Sequence, residues 1–183
     1  VKSILLPFLL AALPVTSHAD TNKRAEQPAC GVEAADPAAL QPGSLIRALY
    51  EVVSGPAGAT KDWNRLTRLH APGALITPTQ HLSDTAFAAA PQSLSSFIKL
   101  NERLFAARGF YERETAQRVQ RFGHIAHVWS SYETREHPAG PVQARGINSF
   151  QLLHDGQRWC VLSATWDTDR ADHPMLNTPD VFK

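Results

Sequence analysis

Tyr132, Arg145 and Trp166 are the residues of this chain best suited to hold a small polar group. A guanidinium between two aromatic edges stacks on them and still presents donors to a carboxylate or an enolate. Ser149 falls on the same predicted face, and Trp63, on a predicted helix, is placed to close a pocket from the other side. A plainer role competes, in which the Arg145 stem only covers the aromatic rings at a rim. A second set, Glu133, Asn148, Ser163 and His127, shares the opposite predicted face. A carboxylate near an imidazole and an amide can do acid–base work, or can supply polar contacts at an interface. His70 and His81 flank a short predicted strand and either can point toward a pocket mouth, although a lone histidine is more often a hydrogen-bonded structural residue. His70 and Glu133 stand as the candidate acid or base.

Other chemistry finds no support. His124 and His127 are three apart, which on a strand sets them on opposite faces and disfavours joint metal binding. The chain has no Gly-rich phosphate loop, no GxSxG elbow and no HExxH, so nucleotide use, serine hydrolysis and zinc proteolysis are unsupported. No cofactor or metal is expected. With 18 Lys and Arg against 17 Asp and Glu, and no basic cluster longer than Lys23-Arg24, neither nucleic acid nor an anionic membrane surface is an expected partner. Glu112, Glu114 and Arg118 share a predicted face with Glu133 and read as a solvated, salt-bridged edge. Cys30 and Cys160 are the only cysteines. A bridge between them closes a loop of about 130 residues and stabilises by up to about 4–5 kcal/mol in the chain-entropy model. Two unpaired thiols are the other reading, and the bridge is preferred.

The elements that must position these residues follow from the pattern. Residues 1–19 have Lys2 as a short positive start, an apolar stretch from Ile4 to Val15, and small residues at Ser17 and Ala19, the layout of a secretory signal cleaved after Ala19. The expected product is periplasmic or secreted. The stretch falls short of the roughly 20 residues a bilayer needs and carries Pro7 and Pro14, so stable membrane insertion is not expected. A flexible arm over 20–41 is expected, then a domain over 42–168 and an irregular tail over 169–183. In the domain Ser44 and Thr60 are read as caps of the first two helices. A strand over 74–79 follows, then a helix from Leu94 ended by Gly109 as a left-handed cap, and then four long strands.

Asp155-Gly156 is a two-residue hairpin signal. It pairs Leu152 with Trp159, Phe150 with Val161, Asn148 with Ser163 and Arg145 with Trp166. Extended through the Pro138–Gly140 turn, the pairing puts Val128 and Tyr132 on one face with Arg145, Ile147, Leu162 and Trp166. The other face then holds His127, Trp129, Ser131 and Glu133 beside Asn148, Phe150, Leu152, Trp159 and Val161. Both faces are then substantially apolar, and a homodimer through the sheet is the expectation.

The helix leading to DWNRLTRLHAPGALI, the segment GFYERETAQRVQRFGHIAHVWSSYETR and the terminal GINSFQLLHDGQRWCVLSATWD resemble the nuclear-transport-factor-2-like (NTF2-like) superfamily. The likeness is to its SnoaL-like branch, which also includes ketosteroid isomerases and scytalone dehydratase, and covers Leu45 to about Asp167. It implies an α+β cone, with three N-terminal helices packed on a strongly curved, mainly antiparallel sheet and a cavity at the open end. Where ketosteroid isomerases carry an essential acid this chain has Thr77-Pro78, and their helical tyrosine falls nearest Ala48, two positions from Tyr50. Steroid-isomerase chemistry is therefore not implied. The expectation is an exported protein that binds a small, partly apolar molecule in its cone, with Arg145 meeting an acidic or carbonyl group. The alternatives are a cofactor-independent lyase or isomerase using His70 or a pocket carboxylate as base, and a structural dimer whose cavity is filled by its own side chains.

Overall fold

A computed structural model describes residues 28–83, 86–171, 174–175 and 182. The leader expected over residues 1–19 and most of the tail lie outside the described residues. Helix α1 spans Pro42–Val53, α2 Trp63–Arg68 and α3 Leu94–Ala107. Strands are β1 His70–Ser83, β2 Ala86–Ala89, β3 Gln92–Ser93, β4 Tyr111–Phe122, β5 Ile125–Arg135, β6 Ala144–His154 and β7 Trp159–Thr168. They form one mixed sheet in the order β2-β1-β7-β6-β5-β4, with β1 parallel to β7 and β3 added on β1. The architecture is the expected α+β cone of helices on a curved, open sheet.

Helix α1 forms because Leu45, Ile46, Leu49, Tyr50, Val52 and Val53 make a wide buried stripe, each large side chain contributing about 1.5–3 kcal/mol. Its start is set by Pro42 in the first turn rather than by Ser44, whose hydroxyl donates to the Ala38 carbonyl. Helix α2 is capped by Asp62, two residues past Thr60, with the carboxylate accepting from Arg65 N at 2.7 Å. Gly109 is not a left-handed cap. The chain leaves α3 at Arg108 in extended conformation, and a Cβ at Gly109 would strike the Glu136 carbonyl.

Two irregularities decide which way the strands face. At the β6–β7 connection, Asp155 Oδ1 accepts from the amides of Gln157 and Arg158, at 2.9 and 3.0 Å. The loop is therefore four residues, 155–158, with His154 opposite Trp159, instead of a two-residue turn. Leu162 is then extra in β7, so Leu152 faces Val161, Phe150 faces Ala164 and Asn148 faces Trp166. In β4, Thr115 is the extra residue between Glu114↔Tyr132 and Ala116↔Ser131. Because side chains alternate with period two, a shift by one residue turns a strand's whole set of side chains over.

The helix-facing side of the sheet accordingly carries Val128, Tyr132, Asn148, Phe150, Leu152, Val161, Ala164 and Trp166. The opposite side carries Ile125, Trp129, Ile147, Leu153 and Leu75 together with Glu133, Arg145 and Ser, Thr and Gln side chains. The main core lies on the helix-facing side, and a smaller cluster of Cys30, Ala71 and Cys160 with Leu153 is packed apart from it.

Residues 28–41 lie against the domain. Cys30 and Cys160 are bonded, with Cα atoms 5.5 Å apart, and Arg158 donates to the carbonyls of Cys30 and Gly31 at 2.6 and 2.9 Å. Asp36 pairs with Arg65 at 2.7 Å, and Ala39 is fully buried in the main core.

Candidate functional site

Helices α1, α2 and α3 and the sheet enclose a cavity of about 550 Å³. Leu49, Val53, Ile76, Phe97, Phe105, Phe110, Phe150, Ala164 and Trp166 make its apolar wall. The aromatic rings brace one another: Phe105 lies 4.9 Å from Phe110, and Phe97 meets Trp166 edge-on at 6.3 Å. Arg108, Arg135, Glu136 and Gln143 stand on the lining with the α3–β4 and β5–β6 connections.

Among the polar groups that enter this wall are Glu112, Tyr132, Asn148 and His70. Glu112 owes its direction to the Thr115 bulge, without which it would share the far face of the sheet with Glu133. Its backbone is fixed, with the Glu112 N–H donating to Ser54 Oγ at 2.9 Å and the Ser54 hydroxyl donating to Glu112 O at 3.1 Å. Burial pushes the Glu112 carboxyl up to about 7, against the pull of the Asn148 amide.

Behind Glu112 runs a chain of hydrogen bonds whose sense is fixed. Ser130 Oγ donates to Glu114 Oε1 at 2.6 Å, and Gln117 Nε2 donates to the same oxygen at 2.7 Å. Ser130 must then accept from the Tyr50 hydroxyl, 2.7 Å away, while Tyr50 accepts from Asn148 Nδ2 at 2.9 Å. Tyr50 has thus spent its only proton inside the core. Burial drives its phenol far above the usual range, with the Glu112 charge adding to the effect.

His70 is buried where β1 leaves α2. Its Nδ1 lies 2.8 Å from the Leu66 carbonyl, which can only accept, so Nδ1 carries the proton. Burial lowers the ring to about 4, and it is neutral at ordinary pH. Tyr132 leans over Gly146, where a Cβ would overlap its hydroxyl, and burial raises its phenol to about 12.

Of the residues singled out in the sequence, Tyr132, Trp166, His70 and Asn148 line the cavity. Arg145 and Ser149 do not. They lie opposite Glu133 and Trp129 on the other side of the sheet, because β6 pairs with β5 one residue out of the predicted phase. Glu133 is there too, clamped by Arg113 and Arg135 at 2.8 Å each, and the Arg135 guanidinium holds its carboxyl below the usual range. It is an ionised ion-pair residue. His127 donates to or accepts from Ser149 at 2.9 Å, and Ser163 lies opposite Gln151, both away from the cavity. His81 bonds Asp167 at 3.1 Å. Trp63 stacks on Phe105 from behind, with centroids 6.0 Å apart, and is not itself on the lining. Glu112 and Tyr50 went unrecognised as site residues. The only sequence signal for Glu112 is its place two residues past Phe110 in a strand of mixed polarity, and the one for Tyr50 is its distance of two positions from the place of the ketosteroid isomerase tyrosine.

Solved structures share this fold. A dehydratase candidate of the NTF2-like family from Streptomyces avermitilis superposes with a TM-score of 0.52 at 14% identity, over 72% of this chain and 95% of that one. A protein of unknown function with a cystatin-like fold from Nostoc punctiforme gives 0.52 at 11% identity, over 75% and 98%. The Kfla4162 protein from Kribbella flavida gives 0.52 at 15%, over 69% and 86%. No protein-family model and no curated protein matches the chain. At these identities the likeness is one of fold, and the fold is NTF2-like.

Proposed function

We propose that this NTF2-like chain binds a small, partly apolar molecule in its cone, with Glu112, Tyr132 and Asn148 as the polar contacts. The observation that carries this reading is the 550 Å³ cavity, walled by aromatic rings and reached by a few buried polar groups. Pockets of that size and make-up are typical of small-molecule sites. A carboxyl poised near 7 donates to a ligand carbonyl when protonated and accepts from a ligand hydroxyl when ionised. The test is native mass spectrometry of protein purified from its own host, followed by extraction of whatever is bound. A ligand present in the native protein and absent from Ala164→Phe, whose larger ring occupies the cavity, is the expected result. A native protein that carries no ligand and takes up none from a panel of hydrophobic probes rules the reading out.

A cofactor-independent lyase or isomerase is the second reading, favoured by Glu112 alone, because a general acid or base works best with a pKa near the operating pH. His70, held neutral and weakly basic, is a poor base at that pH. Glu112→Gln would then abolish turnover while the ligand still bound.

A further inference from the structure

His70 presents the cavity with an acceptor that nothing in the protein fills. The Leu66 carbonyl fixes the proton on Nδ1, so Nε2 carries a lone pair and no hydrogen. His70 is 5% exposed and lines the cavity, and Nε2 has no hydrogen-bond partner among the described residues. Leu66 from α2 and the pair Ile76 and Ala164 from β1 and β7 share the cavity lining with His70, whose own cross-strand partner is the buried Val161. Nε2 is not among the fully buried, unpartnered side-chain atoms of the described residues, so it is reached from the cavity, and a ligand that offers a donor there gains a hydrogen bond.

The donor's chemistry is narrowed by what else lines the cavity. A cation is disfavoured, because desolvating a charge costs far more than desolvating a hydroxyl and because the carboxyl residues of the lining, Glu112 and Glu136, are matched by two guanidinium residues, Arg108 and Arg135. The rings of Phe97, Phe105, Phe110 and Trp166 favour a flat partner. We infer that the ligand is a neutral, ring-containing alcohol or phenol whose hydroxyl donates to His70 Nε2. This rests on the ligand-binding reading of the cavity and adds the class of molecule.

The probes are 2-naphthylmethanol and its methyl ether, which have the same ring and differ in the donor. In the native protein the alcohol should bind about fivefold to tenfold more tightly than the ether, the worth of one buried hydrogen bond. In His70→Phe the two should bind alike. With ¹⁵N-labelled histidine, the His70 Nε2 resonance should move when the alcohol is added and stay in place with the ether, a readout that holds whether or not His70→Phe folds. Equal affinity for the two, with an unmoved Nε2 resonance, overturns this inference and leaves the cavity reading standing. Failure of both probes to bind at millimolar concentration overturns the cavity reading beneath it.

Discussion

Tyr50 shows how much a single buried hydroxyl can organise. It accepts from Asn148 and donates to Ser130, joining a cavity residue to Glu114 of β4. Tyr50→Phe keeps the ring and its packing but leaves Ser130 Oγ and Asn148 Nδ2 each short of a partner. A buried polar atom left unpaired costs about 1–3 kcal/mol, so the urea midpoint of Tyr50→Phe should fall by a matching amount with an unchanged slope. The variant should also loosen Asn148, and with it the amide that holds Glu112. An unchanged midpoint would mean that the bonds carry no net stability. None of this was readable in the chain, where Tyr50 fits the apolar stripe of α1 and its partners lie 80 and 98 residues away.

At the scale of elements, the cone and its cavity were legible, while the assignment of side chains to faces was not. The helices announced themselves by apolar spacing, and the last four strands by length and composition. Register, however, hangs on single residues. Asp155-Gly156 signals a tight turn, yet the Asp155 carboxylate gathers two amides and makes a four-residue loop with Gly156 in the left-handed region, at φ +103°. The eight residues 136–143 between β5 and β6 then set the phase that carries Arg145 and Ser149 out of the cavity. The Thr115 bulge carries Glu112 in. Bulges of one residue have no strong sequence mark, so in the sequence the site's most perturbed carboxyl, Glu112, reads as part of a solvated edge. Gly146 is the trace of this geometry that can be tested. It lies opposite Tyr132, and a methyl group there would overlap the Tyr132 hydroxyl and the Asp167 carbonyl of the next strand. Gly146→Ala should cost about 1–3 kcal/mol by overpacking, read as a lowered melting temperature. If the change stabilised the fold, the close approach of β5, β6 and β7 at this point would be wrong.

For the molecule as a whole, Glu112 and His70 set opposing pH dependences that nearly mask each other. Glu112 titrates near 4.5 in the unfolded chain and about 7 in the fold, so between these values the unfolded state holds fewer protons and stability falls as pH rises. His70 titrates near 6.5 unfolded and about 4 folded, so over that interval the unfolded state holds more protons and stability rises with pH. His127, lowered by desolvation, acts in the same sense as His70 but is nearer the surface. The carboxyls held below their usual range, Asp36, Glu133, Asp155 and Asp167, contribute stability that is lost as pH falls through and below the ordinary carboxylate range, at and under the lower edge of this window. The two slopes should cancel across pH 4.5–6.5, giving the native protein a nearly flat stability there. Glu112→Gln removes one side of the balance. Its unfolding free energy should climb by a few kcal/mol from pH 4.5 to 6.5, at about 1.4 kcal/mol per pH unit for one proton. His70→Phe should show the reverse, losing stability toward pH 7. Urea unfolding of the three proteins at half-unit steps of pH decides the matter. Parallel profiles for all three would mean that neither group is held away from its solution titration, and the electrostatic description of the cavity would have to be abandoned.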